Sequence, residues 1–341
     1  MMFFSGSRRG GSLFLPSAAP KFGIARTCLL ALLAMILLMP APTMSAAPYP
    51  ARVQVFVANS GSDSVTVYDT RLGEVTRTIP VGLTPVGVGA TPSGDVVYVT
   101  NEQSNTVSVI DARALVVTTT VPVGLHPFGV AVTPTHAYVT NFGSNTVTVI
   151  DTATNVPVME IPVGRFPHTP AVSPNGDRVY VTNNGDQTVT VIDTAGQAPV
   201  ATIPVGRYPA GVAVSPDDQR VFVANTGSNT VTVIDTATNA PITTTDVGRA
   251  PMGVSVTPGN LVYVANAASD TVSVLDLNGA PVVPQVPVPD RPEGSAAAPD
   301  NSLVFITNNG ADSMTVLDAV TAQPVVVVPV GAKPEGVAVT S

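Results

Sequence analysis

Three titratable residues occupy equivalent places in a recurring segment. His168, Glu293 and Glu335 each directly follow a proline that returns at Pro85, Pro127, Pro167, Pro209, Pro251, Pro292 and Pro334, with spacings of 42, 40, 42, 42, 41 and 42. One imidazole and two carboxyls suffice as metal ligands, or as an acid and base pair around one water. If the seven positions ring an axis, the third lies almost diametrically across from the sixth and seventh. A narrow channel would then bring His168 toward the two glutamates. Against this, Arg291 and Lys333 stand two residues before the glutamates, and a loop histidine is usually solvated. The expectation is therefore no metal and no cofactor, with these three as catalytic candidates only if they converge.

The other residues flanking the prolines also vary from loop to loop. Before the prolines stand Thr84, His126, Phe166, Tyr208, Ala250, Arg291 and Lys333; after them stand Val86, Phe128, His168, Ala210, Met252, Glu293 and Glu335. Five consecutive loops carry Arg165, Arg207, Arg249, Arg291 and Lys333. Positive charge gathered on one arc of an acidic protein suits a protein, glycan or small anionic ligand, whereas the simpler reading pairs these cations with carboxylates such as Glu293 and Glu335. The binding candidates are His126, Phe128, Arg165, Phe166, Arg207, Tyr208, Arg249, Met252, Arg291 and Lys333.

What must position these loops is a repeat. An Asn ends an apolar run at Asn59, Asn101, Asn141, Asn183, Asn225, Asn266 and Asn308, and an Asp follows ten residues later, at Asp69, Asp111, Asp151, Asp193, Asp235, Asp276 and Asp318. Within one unit, RVYVT, TVTVID, VATIPV and GVAVS read as four strands separated by turn clusters. Four strands in about 42 residues is the arithmetic of a propeller blade. The first unit lacks an inner strand, and Gly336 to Thr340, GVAVT, supplies one at the other end of the chain. The fold class expected is an all-β, seven-bladed β-propeller over residues 51–341, one domain, closed by the C-terminal strand joining three N-terminal strands. Two units depart from the pattern. Thr169-Pro170 replaces Gly-Val, and Pro281, Pro284, Pro287 and Pro289 stiffen the sixth outer strand ahead of a weak inner run, Ser295 to Ala298.

The segments VYVTN, TVTVID, IPVG and PxGVAVSPDG-like stretches resemble the YVTN family of β-propeller repeats, over essentially the whole of residues 51–341. The resemblance implies a propeller of the kind found in secreted and surface-layer proteins, and leaves the activity open because fold is not function.

Residues 1–46 differ from the rest. They hold Arg8, Arg9, Lys21 and Arg26, no acidic residue, and the run CLLALLAMILLM from Cys28 to Met39. Twelve apolar residues are too few to cross a bilayer, which takes about 20, so the stretch reads as a signal peptide cleaved near residues 45–47. A twin-arginine signal and an uncleaved anchor are the alternatives. Cleavage leaves 11 cationic and 23 acidic residues, a formal charge of −12. That argues against nucleic acid. The expected product is periplasmic, secreted or at the cell surface, without a membrane span, and a monomer.

Several chemistries fall away. Three histidines cannot furnish a copper propeller, no CxxCH binds haem, and a chain with no Trp cannot build Trp-rich quinone-docking repeats. No GxSxG elbow, HExxH helix or P-loop is present. The Asn-rich turns lack the closing acidic ligand of calcium loops and read as hairpins in which Asn and Gly take positive φ. The repeated Asp is expected to hold the next turn through backbone amides. The leading expectation is a non-enzymatic binding propeller. The alternatives are a lactonase- or lyase-like enzyme with an axial site, and an architectural surface-layer component.

Overall fold

The computed structural model describes residues 53–340; the signal-peptide reading, with its cleavage site, lies outside them. Seven four-stranded antiparallel sheets follow one another around an axis. Blade 1 combines β1 (Gln54–Asn59), β2 (Ser64–Asp69) and β3 (Glu74–Pro80) with the C-terminal β28 (Pro334–Thr340), in the order β28-β1-β2-β3. Each later blade is continuous in sequence. The innermost strands of blades 2 to 7 are β4 (Pro85–Ala90), β8 (Pro127–Val132), β12 (Pro167–Val172), β16 (Pro209–Val214), β20 (Pro251–Val256) and β24 (Pro292–Ala297). Neighbouring inner strands touch all the way round, with β28 between β24 and β4. The seven-bladed, one-plus-three architecture expected from the repeat is the one found.

Strands such as β10 (Thr146–Asp151, TVTVID) are buried on both faces. The face of Val147 and Val149 joins Ile161 of β11 (Val156–Pro162) in the apolar layer with Val179, Val181 and Ile192 of the next blade, while Ile150 lies on the Thr face, packed toward the preceding blade. The Thr face is buried because the marker Asn satisfies it. Asn141 Nδ2 donates to Thr146 Oγ1 at 3.0 Å and to Thr148 Oγ1 at 2.8 Å. A buried hydroxyl without such a partner would cost about 1–3 kcal/mol, so the spacing of the marker Asn from a hydroxyl residue five and another seven positions later is a folding requirement.

The repeated Asp does what was expected of it. Asp111 Oδ1, for example, accepts from the amides of Arg113 and Ala114, both at 2.8 Å, and these bonds hold its carboxyl below the usual range. The Asn-rich turns need one correction. Positive φ falls on Asp63, Asn105, Asn145, Gln187, Asn229, Asp270 and Asp312, and none of the glycines of these turns takes it. Gly143, Gly185 and Gly227 are there for space: a Cβ would lie 2.8, 2.6 and 2.4 Å from the rings of His126, Phe166 and Tyr208.

The two irregular units still form strands. The proline-rich β23 (Pro281–Pro287) pairs with β22 (Thr271–Leu275) through two register shifts, and β24 forms despite its small side chains. Among the described residues no helix is long and apolar enough to cross a membrane.

Candidate functional site

The residue before each marker proline has φ between 50° and 54°. This left-handed conformation costs a non-glycine residue about 1 kcal/mol or more. It is held in place by the hairpin Asn or Asp 21 residues upstream. The amides of Thr84, His126, Phe166, Ala250, Arg291 and Lys333 donate to Oδ1 of Asp63, Asn105, Asn145, Asn229, Asp270 and Asp312 at 2.8–3.0 Å. The proline then starts the inner strand, and all seven inner strands shift register within the next three residues. A bulge re-aims side chains locally. Here it turns the post-proline residue into the axial channel, and Val86, Phe128, His168, Met252, Glu293 and Glu335 line one cavity there, of about 150 Å³.

Thr residues of the second strands fix this ring. Thr100 Oγ1 accepts from Gly87 N at 2.7 Å and donates to the Phe128 carbonyl of the next blade at 2.6 Å. Thr140, Thr182 and Thr307 reach the carbonyls of His168, Ala210 and Glu335 in the same way, at 2.6–2.7 Å. The glycine after the post-proline residue lets the strands approach, since a Cβ on Gly87, Gly253 or Gly294 would lie 2.3 Å from the carbonyl oxygen of the neighbouring blade.

The cavity has an acidic end. Glu293, in blade 7, is 7% exposed and accepts from Arg291 Nε at 2.7 Å. Its carboxyl is hydrogen-bonded to that of Glu335, in blade 1. The bond spans the seam where the C-terminal strand closes the ring. Ser60 Oγ donates to Glu335 Oε1 at 3.1 Å. Burial first, and then the charge of Glu293, push the Glu335 carboxyl up to about 7. Burial also raises Glu293, against the pull of Arg291. Two carboxyls in contact cannot both ionise cheaply, so the pair shares a proton.

The opposite end is aromatic. The rings of Phe128 and His168 lie 3.9 Å apart, Phe142 sits 6.2 Å from Phe128, and Phe142 stacks on Phe166 at 4.9 Å and 18°. His168 Nδ1 is 3.0 Å from Thr169 Oγ1. Burial pushes its imidazole down to about 4, so it is neutral at physiological pH. His168 therefore shares the cavity with the glutamates but partners Phe128 and Thr169. Among the described residues no three His, Cys, Asp or Glu side chains are grouped to hold a metal ion.

On the rim, Arg165 pairs with Asp186 at 2.6 Å and Arg291 with Glu293. Arg249 Nη2 donates to the Ala268 carbonyl at 2.8 Å. Among the described residues Arg207 and Lys333 have no carboxylate within 4.0 Å. His126 Nδ1 lies 3.4 Å from Glu102, and Met252 Sδ 3.5 Å from Thr226 Oγ1. Leu83, Leu125, Phe166 and Tyr208, from four consecutive loops, are 53, 56, 45 and 58% exposed.

Sequence reasoning missed Ser60 and Phe142. Both follow a marker Asn, in a series that runs Ser60, Glu102, Phe142, Asn184, Thr226, Ala267, Asn309 and varies as much as the proline-flanking residues do. That variability was the available signal.

The sequence model of the YNCE-like β-propeller family matches residues 23–341. The chain belongs to that family. The family shown is the YNCE-like one, and the YVTN likeness remains a resemblance of repeat motifs. No curated protein sequence matches the chain. Among solved structures, hydrazine synthase of Kuenenia stuttgartiensis is 25% identical with a TM-score of 0.68, over 74% of this chain and 88% of that one. A functionally unknown protein of Desulfotomaculum acetoxidans is 19% identical with a TM-score of 0.74, over 84% and 98%. A Bacteroides fragilis protein described as a candidate 6-phosphogluconolactonase is 14% identical with a TM-score of 0.72, over 89% and 100%. The last two likenesses carry the fold alone.

Proposed function

We propose that this chain is an exported binding propeller that recognises a partner through the face bearing the marker-proline loops, without chemistry of its own. The observation that carries this reading is the exposed arc of Leu83, Leu125, Phe166 and Tyr208, which runs into Arg207, a cation with no carboxylate within 4.0 Å among the described residues. Large apolar side chains held together on a rigid rim are what an interface core needs, and Tyr and Arg are frequent anchors there. Scaffold residues repeat in every blade, whereas the residue before the marker proline changes through Thr84, His126, Phe166, Tyr208 and Ala250, as expected if the blades support a variable recognition surface. The test is capture of partners from envelope extract by the wild type and by the triple variant F166A/Y208A/R207A. Loss of at least one wild-type partner supports the reading; an unchanged set of partners removes this face.

A second reading rests on a different observation. The Glu293 and Glu335 carboxyls, sharing one proton in a cavity, offer a proton donor and an acceptor together. That is the equipment of a lactonase- or lyase-like enzyme. Turnover of a panel of lactones that disappears in E335Q would favour it over the binding reading.

A further inference from the structure

The channel cavity is built for a ligand of a particular kind, and its two ends say which. Its volume of about 150 Å³ matches that of a cavity known to accept benzene, so it admits a group of about six heavy atoms. Phe128, Met252, Val130, Val212 and Val254 give most of the wall an apolar character. The polar end is the Glu293–Glu335 pair. Arg291 offsets one negative charge of that pair through its 2.7 Å contact with Glu293. The second carboxyl is neutral only while the shared proton stays.

We propose that this cavity binds an alkylammonium group, which enters from the marker-proline face and seats against the Glu293 and Glu335 carboxyls. An ammonium brings the positive charge the pair lacks when deprotonated, and its chain covers the apolar wall. From the inner strands beside the pair come Val86 and Met252, and from across the channel Phe128 and His168, of which only His168 titrates. It is neutral above about 4, so it sets no competing cation in the cavity. Lys333 is on the exposed rim, with its backbone amide tied to Asp312. A divalent metal suits the site less well, because two carboxyl groups fall short of the six or more oxygens a hard cation takes. The ammonium has two possible sources, a free small amine or a lysine side chain presented by a docked partner.

The test is calorimetric titration of the full chain with n-butylamine, with n-butanol as the uncharged analogue of the same size. Binding of the amine should tighten about tenfold between pH 6 and pH 8, as the shared proton becomes easier to displace. At pH 6, comparison of buffers with different ionisation enthalpies should show about one proton released per amine bound. E335Q should weaken binding about tenfold or more, with circular dichroism to check its fold; the proton count stands without that variant. Equal binding of amine and alcohol, no binding of the amine, or no proton release overturns the proposal. A short peptide with one central lysine separates the sources: if it competes with n-butylamine the ammonium is a partner's lysine, and if it does not while the amine binds, the ligand is a free amine. The rim variant F166A/Y208A/R207A should still bind n-butylamine, so failure of the partner-binding reading is distinguishable from failure here.

Discussion

Asn141 and Thr148 form one buried unit: the amide Nδ2 donates to the hydroxyl at 2.8 Å, and neither side chain is more than 1% exposed. The same pair recurs in every blade, as Asn59 with Thr66, Asn101 with Ser108, Asn183 with Thr190, Asn225 with Thr232, Asn266 with Ser273 and Asn308 with Thr315. It is the reason one face of the third strand can be polar and still buried between blades.

Asn141→Leu keeps the bulk and removes the donor, leaving the Thr146 and Thr148 hydroxyls without it. The expected cost is about 1–3 kcal/mol, read from the midpoint of urea denaturation. The double variant N141L/T148V should recover part of it, since removing both partners costs less than orphaning one, less the bond that Thr148 Oγ1 donates to Glu160 Oε1 at 2.9 Å, which T148V alone measures. No recovery would mean the pair does not act as a unit.

Stability against pH carries two opposed contributions from the channel. The Glu335 carboxyl titrates near 4.5 when unfolded and at about 7 when folded, so its contribution is full below 4.5 and is lost as pH rises to about 7. The His168 imidazole goes the other way, from 6.5 unfolded to about 4 folded, so its contribution is present above 6.5 and is lost as pH falls to about 4. The windows overlap and offset each other. Thermal melts of E335Q between pH 4 and pH 7 should therefore rise with pH more steeply than wild type, and those of His168→Gln should fall. Parallel profiles for all three proteins would show that these groups do not titrate as described.

The repeat made the fold legible, because three independent markers share one period and the two ends of the chain complete one another's blade. The post-proline ring was legible for the same reason: its members are whatever varies next to an invariant Pro. What the period could not convey is the direction in which side chains leave a bulge. The diametric arrangement of His168 and the glutamates follows from counting blades, yet the contact that forms is between Glu293 and Glu335, adjacent across the closing seam. Phe142 and Ser60 reach two members of that ring, Phe128 and Glu335, from a different set of loops. Glycine was misread for a related reason, since its role in the hairpins is to make room for a ring from another loop.

Two glycine substitutions separate scaffold from surface. A Cβ on Gly211 would meet the Met252 backbone oxygen at 2.1 Å, and one on Gly227 the Tyr208 ring at 2.4 Å. Backbone of the next blade cannot yield without opening the ring, whereas an exposed ring can rotate away. Gly211→Ala should destabilise by about 1–3 kcal/mol, the usual cost of overpacking. Gly227→Ala should stay within about 1 kcal/mol of wild type in denaturant while weakening partner capture. Equal destabilisation by both would show that the Tyr208 ring is as fixed as the inner strands.

Thr307 positions Glu335 by donating to its carbonyl at 2.6 Å while accepting from Gly294 N at 2.7 Å. Ala224 and Ala265 hold the equivalent places in other blades, so the fold tolerates an alanine there. Thr307→Ala should therefore cost only about 0.5–1.5 kcal/mol in stability, the net worth of one hydrogen bond. Its larger effect should be on the channel. With the Glu335 backbone free to shift, its carboxyl separates from Glu293; burial, the larger cause of its raised titration, is kept, and the charge of that neighbour, the next cause, is lost. Carboxyl carbon NMR of side-chain-labelled glutamate should show the highest-titrating resonance moving from about 7 toward the ordinary carboxylate range in Thr307→Ala. An unmoved titration would show that side-chain contacts alone keep the pair together, and that Thr307 serves only the backbone.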